Sequence, residues 1–496
     1  MNKDQSSYRQ IVKATSIYGG VQVIQILINI IKSKFIAILL GPSGMGIAGL
    51  LTSSIEFIQS LTSFGLKTSA VKDISEADAS KNELRISIKI KVFRRLVWIT
   101  GLIGACVTLI FSSKLSELTF GNQDYTYAFI LIAVTLLFNQ LSDGQKTLLQ
   151  GLRKIKLLAK ASLYGSLLGL ITTIPLYYFY GIDGIVPGII VTSATALILS
   201  WYFTRNIPLS PVKISARDTI SEGRDMLNIG FLIGLNGLIL GGISYIVKLF
   251  IGRTGSVDDV GLYTAGFTLI NTYVGLIFTA MSTDYFPRLS ALSNDNEQSR
   301  SLINQQAEIA ILILAPIIIT LMIGIKWVVI LLYSSKFLPI NDMILYAALG
   351  MFFKAASWSI AFIFLAKSAS KLFFINEIFF NTYFLLLNLA GYYWLGLTGL
   401  GIAFLVSYVL YLIQLYFVTQ KVYQFTFDQS FIKLMLLQVC MAFFTLLAVK
   451  LTIPLVAYIV GGILMCFSMY LSYRELDKRI NIKNLINKFL GSQSER

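Results

Sequence analysis

Histidine is absent from all 496 residues, and only three are cysteine and nine proline. The lack of histidine removes every Ser-His or Cys-His nucleophile, along with the commonest proton shuttle and metal ligand. Cys106, Cys440 and Cys466 stand singly in apolar segments, at spacings that form neither a disulfide framework nor a metal site. No cofactor and no metal are therefore expected. Charge is scarce as well, at 13% of residues against 55% hydrophobic. Length alone would suggest about three soluble domains, but so apolar a chain cannot be wrapped around soluble cores, and lipid is the better solvent.

What is present is a succession of long apolar runs. A helix needs roughly 20 mainly apolar residues to cross a hydrocarbon core about 30 Å thick, and fourteen runs qualify, from one near 14–40 to one near 453–473. The expected fold class is an all-α polytopic membrane protein with about 14 transmembrane helices. The net charge of +16 would suit nucleic acid, yet its distribution points elsewhere. With fourteen spans, the loops of one side and both tails hold 32 Lys and Arg, while the other side holds four: Lys114, Arg253, Lys336 and Lys450. That asymmetry assigns both termini to the cytoplasm. The basic loops need only anionic lipid headgroups as partners, and no nucleic acid is expected. The polar stretch Met1 to Lys13, followed by a run long enough to span, does not read as a cleavable signal peptide.

The chain also repeats itself. Tyr177 to Ile185 reads YYFYGIDGI, and 215 positions later Tyr392 to Leu400 reads YYWLGLTGL. A second echo, Gly41-Pro42-Ser43-Gly44 against Gly252-Arg253-Thr254-Gly255, stands at an offset of 211. Six spans per copy is an even number, so the copies share one orientation and form parallel repeats around a central cavity, an arrangement that favours a transporter. The expected organisation is a first lobe over 1–204, a cytoplasmic linker over 205–225 and a second lobe over 226–420. Two extra spans follow over 421–473, then a basic cytoplasmic tail over 474–496 that reads as an amphipathic surface segment.

Several spans carry polar residues at steps of three and four, which places them on one helix face. Tyr18, Gln22, Gln25, Asn29 and Lys32 do so in the first span; Thr52, Glu56, Gln59 and Ser63 in the second; Thr135, Asn139, Asp143, Lys146 and Gln150 in the fourth. Uncharged polar residues can simply join helices within a bundle. A charge at mid-span is costly and faces water, a partner or a ligand, and Glu56 and Lys354 lie too deep to snorkel to the surface. Asp143 and Lys146 also fit a local ion pair, and Asp284 with Arg288 an interfacial pair at the inner mouth. Across the repeats Gln25 matches Asn236, Asn139 matches Lys354 and Glu56 stands against Thr268. A deep lining with Lys32 and Lys354 against Glu56 is net cationic and favours an anionic, phosphate-bearing ligand.

Gly41-Pro42-Ser43-Gly44-Met45-Gly46-Ile47-Ala48 opening the second span, Phe120-Gly121-Asn122-Gln123-Asp124-Tyr125 before the fourth, and Ser335-Lys336-Phe337 running to Ala366-Lys367-Ser368 resemble the polysaccharide-transport flippases. These are the O-antigen and common-antigen translocases of the multidrug/oligosaccharidyl-lipid/polysaccharide exporter superfamily, and the likeness covers roughly residues 8–420. Where the common-antigen type carries acids, this chain has Asn271 and Gly350, and its two extra spans look like the fourteen-helix branch. The resemblance implies a bacterial inner-membrane protein flipping undecaprenyl-diphosphate-linked oligosaccharide to the periplasmic leaflet by alternating access, driven by H+ or Na+. It implies as further partners a polysaccharide polymerase and a chain-length regulator. On that reading Lys32, Lys354, Gln25, Asn29, Asn139 and Asn236 bind diphosphate and sugar, Glu56 and Asp143 couple the ion, and Lys146, Asp284 and Arg288 line the inner mouth.

Two alternatives stand beside it. A multidrug exporter of the same superfamily would favour cations and an acidic cavity. A membrane glycan polymerase or ligase would need a large outer loop with functional residues, which the short outer loops and the missing histidine oppose.

Overall fold

The computed structural model describes the backbone of residues 3–208, 210–212 and 214–480, with side chains except those of residues 3–19, 216, 220, 225, 229, 232, 233, 236, 283 and 480. Most of the predicted basic tail lies outside the described residues. Regular structure among them is helical throughout: α1 (Lys3–Leu39), α2 (Gly41–Thr62), α3 (Leu66–Ala79), α4 (Glu83–Ile110), α5 (Ser112–Phe120), α6 (Thr126–Gly151), α7 (Ile155–Tyr180) and α8 (Ile185–Thr204). There follow α9 (Ala216–Thr254), α10 (Val257–Phe267), α11 (Leu276–Ala291), α12 (Asn296–Leu332), α13 (Asn341–Ala366), α14 (Ser370–Tyr423), α15 (Gln429–Leu451) and α16 (Pro454–Ile480).

Eleven helical stretches among the described residues are long and apolar enough to cross a membrane. This multi-pass, all-helical architecture agrees with the expected class, and the difference between eleven and fourteen has identifiable sources. Two stretches are of double length, Ile155–Thr204 at 50 residues and Ser370–Tyr423 at 54, and each contains two expected spans. The expected second span is α2, whose face of Thr52, Ser53, Ser54, Glu56, Gln59, Ser60 and Thr62 keeps it out of the eleven.

Both double stretches turn back on a glycine. Gly181 has φ 56° and ψ −130°, and Gly396 has φ 58° and ψ −141°. A side chain is excluded from that backbone region, whatever the space around it. Past each turn the two helices meet closely: a Cβ on Gly184 would lie 2.4 Å from Leu176 O, and one on Gly399 1.8 Å from Gly391 O. Tyr177 and Tyr392 are buried, while the three residues after each face outward. Every one of these pairs is separated by 215 positions.

The same offset governs a longer block. Shifted by 215, the bounds of α6 become those of α13, and the start of α7 becomes the start of α14. Arg153 and Ser368, equivalent by that shift, both take positive φ, at 52° and 56°. Lys154 N bonds Leu149 O and Ala369 N bonds Phe364 O, each at 2.8 Å. Thr204 and Thr419 close the block, both buried and both bonding back to their own helix. The sequence repeat is thus a repeat of helix lengths, turns and caps.

By contact density the chain forms two compact units, residues 1–264 with 332–336, and 265–331 with 337–496. In the first, Leu51, Ile55 and Ile58 of α2 pack with Phe129, Ile132 and Leu136 of α6 and with Tyr177 and Ile185. A second cluster joins Ile90, Phe93 and Val97 of α4 to Leu141 and Leu148 of α6 and to Ile74 and Met226. In the second unit, Ile360, Ile363 and Phe364 of α13 pack with Tyr285, Leu289, Ile303, Phe380, Tyr411 and Leu415. These apolar seams leave the polar faces of α1, α2 and α6 to look elsewhere.

Candidate functional site

In the first unit those faces converge. A cavity of about 330 Å³ is lined by Lys32 of α1, by Glu56 and Gln59 of α2, and by Asn139, Asp143 and Lys146 of α6, with Tyr177 of α7 behind them. Asp143 and Lys146 form the expected local pair, at 3.7 Å. Gln59 Nε2 reaches Gln140 Oε1 and Asp143 Oδ2 at 3.5 Å, and Gln140 in turn donates to Thr100 at 2.9 Å. Cation, carboxylates and amides therefore share one small polar chamber walled by helices. Gln25 and Asn29 lie nearer the start of α1 than Lys32 and are not among the lining residues of this chamber, Gln25 half-buried and Asn29 exposed. The side chain of Asn236 lies outside the described residues.

The second unit builds a site around Lys354. Its Nζ donates to Asn271 Oδ1 at 2.8 Å and lies over three rings, 5.3 Å from Tyr408, 5.7 Å from Phe404 and 5.9 Å from Phe278. The ammonium is thus held by a neutral amide and by ring faces, which attract a cation without cancelling its charge. Asn271 is presented by a π-helical stretch, Thr268–Val274, between α10 and α11. Such insertions widen a helix and recur at functional positions. Asp284 and Arg288 pair at 3.2 Å on α11 with both side chains exposed, an arrangement that salt screens and that contributes little.

Contacts at the start of α2 and α10 fix the repeat register. Ser43 donates to Asp258 at 2.5 Å. A Cβ on Gly46 would lie 1.9 Å from Val257 O, one on Gly261 2.0 Å from Pro42 O, and one on Gly49 2.9 Å from Thr264 Oγ1. Ser43 and Asp258, and likewise Gly49 and Thr264, are equivalents at an offset of 215. Gly46 against Val257 becomes Pro42 against Gly261 under that same shift. A contact that maps onto itself when two segments exchange is the mark of a local two-fold relation between these helices.

That register corrects one alignment. The offset of 212, which set Glu56 against Thr268, ignores this contact; at 215 Glu56 corresponds to Asn271. Since Asn139 corresponds to Lys354, the Asn271–Lys354 bond of one copy occupies the place of Glu56 and Asn139 in the other. One copy places a carboxylate and an amide on the lining of one cavity, the other bonds an amide to an ammonium.

Residues 35–342 match the polysaccharide biosynthesis protein family. The chain belongs to that family. It is 21% identical over 412 residues to the lipid III flippase of Escherichia coli (strain K12), covering 81% of this chain and 96% of that protein. Among solved structures it is similar to the lipid II flippase MurJ in an inward closed conformation, with TM-score 0.70, 14% identity and coverage of 94% and 99% of the two chains. An inward-facing multidrug resistance MATE transporter of the MOP superfamily gives TM-score 0.69 at 14% identity, covering 83% of this chain and 98% of the other. The chain accordingly shares the fold of these solved transport proteins, and the relatives so named are transporters, not enzymes.

Two features of this polysaccharide biosynthesis protein lie outside the polar stripes of its sequence: the aromatic cage and a half-buried carboxylate. Phe404 and Tyr408, four residues apart on α14, could have been found as an i, i+4 aromatic pair. Tyr411 donates to Glu377 Oε1 at 2.5 Å, and Tyr411 and Tyr408 both lie against Phe380. Glu377 is a charge inside an apolar run, the same signal that singled out Glu56. No group of three or more His, Cys, Asp or Glu side chains able to hold a metal occurs among the described residues.

Proposed function

We propose that this protein carries a lipid-linked oligosaccharide, built on undecaprenyl diphosphate, from the cytoplasmic to the periplasmic leaflet of the bacterial inner membrane. The observation that carries the reading is Lys354: an ammonium deep in a membrane protein, held by the Asn271 amide and three aromatic rings, keeps its charge for an anionic ligand. Lys32 supplies a second cation in a chamber whose amides suit sugar hydroxyls. The curated relative named lipid III flippase, matched over nearly its whole length, supports the same substrate class. Fourteen crossings with both termini cytoplasmic, lobes over 1–204 and 226–420, and alternating access between them complete the proposal.

Coupling to H+ or Na+ is assigned to Glu56, with Asp143 beside it, because both face the chamber that holds Lys32. Gln25, Asn29 and Asn236 are kept as sugar contacts, Lys146, Asp284 and Arg288 as inner-mouth groups, and a polymerase and a chain-length regulator as partners. The test is complementation of a flippase-null strain. Wild-type protein is expected to restore surface glycan and Lys354→Ala at equal protein level is not; full restoration by Lys354→Ala sinks the assignment. Energised efflux of cationic dyes with no binding of polyprenyl diphosphate would instead support the multidrug reading.

A further inference from the structure

A larger cavity of about 810 Å³ lies between α4, α6 and α8 in the first unit and plays no part in the function proposed above. Its polar lining comprises Arg94, Gln145, Thr204 and Arg205, and Trp98 and Trp201 stand among the apolar residues. Among the described residues no carboxylate lines it. Arg94 Nε is buried with no hydrogen-bond partner, whereas Nη1 of its neighbour Arg95 donates to Ser215 O at 3.1 Å and Thr219 Oγ1 at 2.7 Å. A smaller void of about 50 Å³, also lined by Arg94, Trp98 and Gln145, adjoins it. Thr204 donates to Gln145 Oε1 at 2.8 Å, an arrangement that leaves the Gln145 amide hydrogens to other acceptors. Arg205 stacks on Tyr202, 4.3 Å from the ring centre, at the mouth.

A buried guanidinium N–H without an acceptor is costly unless an anion satisfies it. Donors on three helices surround this space with no acid among them, so the missing partner is negative. Trp98, Trp201 and Ile198 are more than half exposed, and their apolar surfaces form the flanks. Loop charges place the end of α8 and the start of α4 on the cytoplasmic side, where tryptophan and arginine mark the headgroup level. Basic pockets between transmembrane helices on that side hold anionic lipid headgroups.

We infer that this cavity is a binding site for an anionic phospholipid of the cytoplasmic leaflet. The phosphate sits on Arg94 with Gln145 and Arg205, and an acyl chain lies along Trp98 and Trp201. The inference rests on the membrane orientation proposed above and is independent of the transported substrate.

The experiment uses the full chain purified in detergent, with native mass spectrometry and thermal unfolding after addition of phosphatidylglycerol, phosphatidylcholine or undecaprenyl diphosphate. Wild-type protein is expected to retain phosphatidylglycerol in preference to phosphatidylcholine and to unfold at higher temperature with it. Arg94→Gln is expected to weaken that retention about tenfold, the loss of one charge-assisted hydrogen bond, while Lys114→Gln on the opposite face leaves it unchanged. Equal retention by Arg94→Gln and wild type overturns the site, as does equal retention of the two phospholipids. Preference for undecaprenyl diphosphate through Arg94 overturns the phospholipid assignment and makes the cavity a substrate dock. Should Arg94→Gln fail to fold, the exposed Trp201→Ala and Arg205→Gln replace it, and unchanged retention by both overturns the proposal. Transport by Lys354→Ala separates this outcome from failure of the flippase reading.

Discussion

Ser43 donates to Asp258 at 2.5 Å, and the two residues occupy the same place in successive copies of the repeat. Around them Gly46 and Gly261 each meet the other segment's backbone carbonyl, where no side chain fits. Gly261→Ala is expected to lose roughly 1–3 kcal/mol of stability, the usual result of forcing volume into a closed contact. Thermal unfolding in detergent measures it, and an unchanged transition would mean the contact is not formed.

The hairpin glycines make a second case. Gly181→Ala and Gly396→Ala meet no neighbouring atoms within 4 Å, so their effect comes only from the backbone. Each is expected to cost about 1–3 kcal/mol, and the two should add, being remote equivalents. A neutral result at either one would contradict its positive φ.

At Lys354, the partner decides the chemistry. Asn271→Asp should turn a cation held by an amide into a closed ion pair, lowering binding of polyprenyl diphosphate about tenfold or more while leaving the fold intact. Lys354→Ala should abolish binding in the same assay. If Asn271→Asp bound the diphosphate as wild type does, the amide would have no part in keeping the ammonium available.

For Glu56, the expectation concerns coupling. Glu56→Gln should still bind substrate but transport it at a rate no longer responsive to an imposed ion gradient, measured in proteoliposomes. A full response would move coupling to another carboxylate, with Glu377 next to be tested because it is half-buried and accepts a hydrogen bond from Tyr411.

Asp295 gives the pH dependence. The backbone N–H of Gln298, joined by that of Glu297, holds its carboxyl below the usual carboxylate range at the start of α12. A lowered folded pKa means a contribution present above the unfolded value, near about 4, and lost as pH falls through the folded one. Asp295→Asn should therefore flatten the acid-side loss of thermal stability below about pH 4, and an identical slope would exclude the group.

The repeat and the polar chamber were legible because a helix converts steps of three and four into one face. Lys32, Glu56, Asn139, Asp143 and Lys146 were all singled out that way, and they line one cavity. The Lys354 cage was not legible as a whole, since Phe278 of α11 and the Phe404–Tyr408 pair of α14 meet Lys354 of α13 only on folding. The match of Glu56 to Asn271 was missed because the copies differ in the length of the loop before α10 and by the π-helical stretch after it. The boundary at Gly396 was legible from the repeated Tyr-Tyr segment alone, although a residue with positive φ lets two helices abut without any polar loop between them.

The constant shift of 215 from α6 to the end of α8 has a consequence for how this chain can change. One added residue in a helix turns everything beyond it by about 100°, exchanging its lipid-facing and inward-facing sides. Substitution could therefore turn Asn139 of one copy into Lys354 of the other, whereas a net change of length could not pass. Between positions 126 and 204 and between 341 and 419 the two copies have been free to diverge in chemistry but not in phase.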